Sequence, residues 1–219
     1  MYRTIIFCLA IGLVLGMVGH SIAANPENSK EKIQFQEVTI ELAGTAETKA
    51  DYFVGQHARA VIFAPGAMFS KESWHFLAKR FQELGIGSVS LGSGSTPDLL
   101  NGIAFLKAKG AKEIAIVGAS AGGAGVLYML QETQDPLVDI VVLLAPAGGA
   151  PLQNENIRKL FIVAEDDMMS SSAEVYKLYD GSSDPRTYKE LKGSDHAQRL
   201  FEGKQKEDVI QLIIQFIQN

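Results

Sequence analysis

Residues 114–127 read IAIVGASAGGAGVL, an apolar run that passes through Gly118-x-Ser120-x-Gly122 into small residues a helix accepts. Such a run, bounded by glycine, has the character of a buried strand, and the small residues after it have the character of a helix start. A serine held at a strand-to-helix turn takes a strained backbone conformation, and glycines two residues to either side leave room for the chain to turn back on itself. Its hydroxyl then stands above the sheet edge. The N–H of Ala121 opens the helix and faces the same space, so a developing oxyanion would meet a fixed donor and the positive end of a helix dipole. The pattern predicts a nucleophile at Ser120 and an oxyanion donor at Ala121. The plain alternative is a glycine-rich turn in which Ser120 merely caps a helix.

Working outward, residues 33–42 and 49–54 alternate apolar and polar side chains, as two antiparallel strands at a sheet edge would. Residues 58–64 (ARAVIFA) read as a central strand, followed by a loop, 65–70, and a helix over 73–84 with Trp74, Leu77, Ala78, Phe81 and Leu84 at helical spacing. A strand at 87–91, a helix at 98–109 and the serine strand at 113–117 come next. The helix after Ser120 is expected to reach about Gln131, with strands at 138–144 and 160–164, a helix at 173–179, a strand at 186–191 and a closing helix at 207–217. Strands alternating with helices after an antiparallel start imply an α/β domain, 33–219, whose mostly parallel sheet of about eight strands has helices on both faces.

The beginning of the chain has a different composition. Residues 1–24 carry one basic residue, Arg3, then an apolar stretch from Ile5 to about Val18 and small residues at Ser21, Ala23 and Ala24. This reads as a secretory signal peptide cleaved after Ala23 or Ala24, followed by a polar linker, 25–32, and it predicts a periplasmic or secreted protein with no stable membrane insertion after cleavage. An uncleaved anchor is the alternative. The one cysteine, Cys8, lies inside the apolar stretch, so no disulfide is expected in the mature chain. A net charge of −5 with no basic cluster argues against a nucleic-acid surface. The spacing Gly118-Ala-Ser120-Ala-Gly122-Gly123 breaks the dinucleotide-binding fingerprint and lies far from the first βαβ unit.

In an open parallel sheet, catalytic groups collect in loops beyond the carboxyl ends of strands. The strand at 160–164 runs into Glu165-Asp166-Asp167, and the one at 186–191 into Lys192-Gly193-Ser194-Asp195-His196. Serine, then a carboxylate, then histidine is the chain order of the α/β-hydrolase fold. Across nearly all of residues 33–219 the chain resembles that superfamily, in particular its small esterases and dienelactone-hydrolase-like members, although it has serine where true dienelactone hydrolases have cysteine. The resemblance implies a triad of Ser120, His196 and an acid, with Asp167 favoured over Asp166 because the acid often lies three residues after the small residue ending its strand, here Ala164. It also implies a second oxyanion donor in the loop after the strand at 58–64. Pro65 stands there where histidine is usual and has no N–H, which points to Ala67, with Met68 second.

Only about fifteen residues, 145–159, separate the strands at 138–144 and 160–164, too few for the helical cap many relatives insert there. An open site without a cap domain is expected. Phe69, Trp74 and Met168, with Met68 and Met169, flank the site in sequence and are candidates to line a substrate pocket, or else ordinary core. The expected function is hydrolysis of a small-molecule carboxylic ester or acyl compound through an acyl-enzyme, with no metal or organic cofactor. A serine peptidase or thioesterase would use the same triad, and a non-catalytic binding protein would share the fold. The sequence is silent on oligomeric state.

Overall fold

The strand that opens at Glu113 lies mid-sheet, and its neighbours are arranged around it. The computed structural model describes residues 34–41, 46–133 and 137–219. The expected signal peptide and linker lie outside the described residues, as do both end residues of the strand expected at 33–42. Along the described chain run β1 (Gln36–Ile40), β2 (Thr48–Phe53), β3 (Arg59–Ala64), α1 (His75–Glu83), β4 (Gly87–Leu91), α2 (Thr96–Ala108), β5 (Glu113–Ala119), α3 (Ala121–Glu132), β6 (Ile140–Leu144), β7 (Arg158–Ala164), α4 (Ser172–Gly181), β8 (Arg186–Leu191) and α5 (Lys206–Gln218). They form an eight-stranded sheet of order β1-β2-β4-β3-β5-β6-β7-β8, parallel from β4 to β8 and antiparallel where β2 meets β1 and β4.

Helices cover both faces, and two consecutive side chains of β3 show it. Side chains alternate across a strand. Ile62 packs toward Gly102 of α2, whereas Phe63 stacks on Trp74 with ring centroids 5.3 Å apart and touches Phe81 of α1 at 6.0 Å. On the α1 face, Arg80 pairs with Glu207 of α5 at 3.3 Å. The connection from β6 to β7 holds no helix, so no cap interrupts the sheet there. Among the described residues no helix is long and apolar enough to cross a membrane.

Three expectations need correction. Residues 48–53 are not an edge strand: β2 lies between β1 and β4, and apart from Lys49 it is buried. Its polar alternation misleads because Asp51 is itself buried, with its carboxylate met by the Lys71 ammonium and by His75 Nε2 at 2.7 Å. The helix expected at 98–109 starts two residues earlier. Ser95 Oγ accepts the Asp98 N–H at 3.3 Å, and Pro97 in the first turn suits a helix start. The segment expected as one helix at 73–84 begins as a 3₁₀ turn, Lys71–Trp74, before α1, and its Leu84 is exposed where the spacing put it inward.

The seat of α3 matters most for the site. A Cβ on Gly122 would fall 2.4 Å from the Ala64 carbonyl oxygen, and one on Gly125 would fall 1.9 Å from the Gly94 oxygen. Helix α3 therefore lies directly on the backbone of the loops that follow β3 and β4. For Gly125→Ala two effects compete. Helix propensity alone favours alanine by about 1 kcal/mol, whereas a clash with backbone costs about 1–3 kcal/mol or more. We expect a net loss of stability, read as a lower midpoint of urea unfolding; a raised midpoint would mean that α3 can shift off the loop.

Candidate active site

Ser120 is at φ 48° and ψ −116°, between the last residue of β5 and the first of α3. A non-glycine residue there costs on the order of 1–3 kcal/mol and persists only where its surroundings hold it. Here they do so on two sides. Its N–H donates to the Leu144 carbonyl at 2.9 Å, and its own carbonyl accepts from Ala124 at 2.9 Å and from Ala147 at 3.1 Å. Ala145 (φ 42°) and Ala197 (φ 50°) are the other non-glycine residues with positive φ among those described, and they lie in the loop after β6 and directly after His196.

The structure brings the three expected residues together. Ser120 Oγ is 2.8 Å from His196 Nε2, and His196 Nδ1 is 2.8 Å from Asp167 Oδ2. Asp167 is 4% exposed, and its second oxygen accepts the N–H groups of Met169 at 2.8 Å and Ser170 at 3.0 Å. Asp166 is exposed, and the carboxylate bonded to the histidine is that of Asp167. The two loops are also tied to each other. Glu165 N–H donates to Leu191 at 2.8 Å and Asp166 N–H to Gly193 at 3.0 Å. Lys192 Nζ meets Glu165 Oε2 at 2.5 Å, and this hydrogen bond lowers the carboxyl pKa of Glu165 and raises the ammonium pKa of Lys192 from their ordinary values.

Ala121 is the first residue of α3, where backbone N–H groups have no intrahelical acceptor. Across from it, a Cβ on Gly66 would lie 3.3 Å from Ser120 Cβ, so the loop after β3 lies against the serine. Gly66 N–H is occupied by the side chain of Gln198 at 2.7 Å, and Phe69 N–H by the Gly66 carbonyl at 3.0 Å. The N–H groups of Ala67 and Met68 between them have no partner among the described residues.

The expected substrate contacts divide. Trp74 is fully buried between Phe63 and Phe201 and belongs to the core, so it cannot touch a substrate; its helical spacing with Leu77 and Phe81 was the relevant signal. Phe69 is half-buried in the loop after β3. Met168 is 96% exposed and stands at the rim. A cavity of about 510 Å³ adjoins the site, bounded by Pro146, Ala147, Met169, Ser170, Lys177 and Leu178 among others. Ala147 bonds to Ser120, and Met169 and Ser170 bond to Asp167, so its walls are continuous with the triad. A larger cavity of about 640 Å³, walled by residues between 130 and 157, includes no triad residue and no residue that bonds to one. Among the described residues no group of three or more His, Cys, Asp or Glu side chains is placed to hold a metal ion. The sequence reading missed Gln198 and Ala147, whose roles arise from loop conformations that no spacing reports.

No protein-family model matches the sequence, and no curated protein matches it. Solved structures do match. A dienelactone hydrolase from Anabaena variabilis superimposes with a TM-score of 0.70 at 17% identity, covering 84% of this chain and 97% of that one. An esterase of Pyrococcus furiosus gives 0.69 at 13% identity, over 85% and 92% of the two chains. A monoacylglycerol lipase of Paleococcus ferrophilus gives 0.65 at 14%, over 78% and 98%. The chain has the α/β-hydrolase fold.

The geometry separates the two aspartates by consequence. Asp167→Asn should lower turnover of an activated ester on the order of ten-thousand-fold, as loss of the acid does in a comparable triad, while Asp166→Asn stays within about twofold. Equal losses in steady-state assays of both variants would contradict the assignment.

Proposed function

We propose that this α/β-hydrolase-fold protein is a serine hydrolase that cleaves small carboxylic esters through an acyl-enzyme. The observation that carries the reading is the unbroken hydrogen-bonded line from Ser120 through His196 to Asp167, with both separations at 2.8 Å. A serine hydroxyl attacks a carbonyl poorly until a base takes its proton. His196 Nε2 is placed to accept that proton as the Oγ–carbon bond forms, and then to deliver it to the departing alcohol. Asp167 accepts from Nδ1, which leaves Nε2 as the basic nitrogen, and its charge favours the imidazolium formed in the transition state. Water activated by the same histidine then releases the acid. The N–H of Ala121, at the start of α3, and that of Ala67, in the loop after β3, are the proposed oxyanion donors.

A small substrate is favoured over a large one by the cavity beside the triad. At about 510 Å³ it lies within the range of small-ligand sites. Its walls are mostly apolar or glycine, with Lys177 and Glu174 contributed by α4, an environment suited to a short acyl chain. Thioester or amide cleavage would use the same groups and remains the second reading only on chemical grounds. A binding role alone would not require a strained serine in hydrogen-bond contact with a histidine.

Two measurements test this. A fluorophosphonate probe should label the purified protein at Ser120, located by peptide mass spectrometry, and labelling should be lost in Ser120→Ala and His196→Ala. A folded wild-type protein that resists the probe would overturn the catalytic reading. Separately, Leu178→Trp should fill part of the cavity and lower kcat/KM for p-nitrophenyl octanoate about tenfold or more relative to the acetate, since the lost apolar contact is worth roughly 1–3 kcal/mol. An unchanged ratio would place the acyl chain elsewhere.

A further inference from the structure

Gln198 is 4% exposed and lies two residues after His196, in the 3₁₀ turn Ala197–Phe201. Both polar atoms of its carboxamide are bonded. Oε1 accepts the Gly66 N–H at 2.7 Å, and Nε2 donates to Ser73 Oγ at 2.6 Å, whose own proton goes to the Ser70 carbonyl at 2.5 Å. The orientation of the amide is fixed by chemistry, because a backbone N–H can only donate and the atom facing Gly66 must be the oxygen. One side chain from the histidine loop therefore grips both ends of the loop after β3.

We propose that Gln198 is a positioning residue for the oxyanion site, acting through the backbone of residues 66–73. The inference rests on the hydrolase reading and adds to it. Gly66 lies against Ser120, and Gln198 takes its N–H, which leaves Ala67 as the first unbonded donor of the loop. Buried hydrogen-bonded groups of this kind hold their partners in one place, because an unpaired amide in the same position costs about 1–3 kcal/mol. Ala197 at φ 50° supplies the turn that sends the Gln198 side chain inward directly after His196. General base and oxyanion loop are thus held in register by the same short segment. Lys71 and His75, on either side of Ser73, add a second anchor at that end on the buried carboxylate of Asp51.

A donor that shifts by a fraction of an ångström loses strength only where charge has developed, so the effect belongs to turnover and not to ground-state binding. Replacing Gln198 by Leu keeps the volume and removes both bonds. We expect kcat for p-nitrophenyl butyrate to fall about 10- to 100-fold, with KM within about threefold and the acidic limb of the pH–rate profile unmoved, since the triad is untouched. A trifluoromethyl ketone, whose tetrahedral adduct places an oxyanion in the site, should weaken in parallel with kcat. Ser73→Ala keeps the Gly66 bond and leaves the histidine segment alone; it should lose about three- to tenfold in kcat by the same pattern, and it decides the matter if Q198L does not fold. Active wild type with unchanged kcat in both variants, or a loss carried by KM or by a moved acidic limb, would overturn the role of Gln198 alone. Wild type without turnover or probe labelling would overturn the hydrolase reading and this inference with it.

Discussion

The backbone of Ser120 is the constraint on which the rest of the site depends. A positive φ with ψ −116° at a serine is unfavourable by roughly 1–3 kcal/mol, so it has to be enforced, and the enforcement comes from the sheet. Ser120 donates to Leu144 at the end of β6 and accepts from Ala147 just beyond it, which ties the turn to a strand whose residues are all buried. On the other side α3 sits so close to the loops after β3 and β4 that only glycine fits at 122 and 125. The hydroxyl is held above the sheet because the chain on both sides of it has nowhere else to go.

The same dependence explains what the sequence makes legible. Central strands buried on both faces are mostly apolar, so β3, β5, β6 and β7 declare themselves as short apolar runs, and the order of polar loops after them follows. Ser120 and Asp167 are readable because each closely follows such a run, and His196 because it stands in the polar loop after the last strand, β8. Buried polar residues carry no such mark. Asp51 gives β2 the alternation of an edge strand, yet it is buried and paired. Lys159 is also buried, with its ammonium donating to the carbonyls of Asn154, Ile157 and Ser183 at 2.7–2.9 Å. Whether a charged residue is solvated or satisfied inside depends on partners far away in sequence, and a local pattern cannot report them. Trp74 failed in the opposite sense, because nearness in sequence to a site loop says nothing about which face of a helix a side chain occupies.

Among the described residues no cap stands between β6 and β7 to press the site's loops into place from above. Rigidity has to come from below and from the side. Each loop that contributes a proposed catalytic group is bonded to another loop: the acid loop to the histidine loop through Glu165, Asp166 and Lys192, the histidine segment to the loop after β3 through Gln198, and the serine turn to the loop after β6.

These lateral bonds differ in how much each can contribute. The Glu165–Lys192 pair is exposed on the lysine side, and solvent screening leaves such pairs little to give. Backbone bonds from Glu165 and Asp166 to the chain at Leu191 and Gly193 continue the β7–β8 pairing and do not depend on ionisation. Gln198 is buried, neutral and bonded at both ends of its amide, so neither salt nor pH weakens its hold. A site held from the side is better served by the second and third kinds than by the first, and it is those kinds that bear on the two elements closest to Ser120 in the proposed mechanism, the His196 segment and the loop after β3.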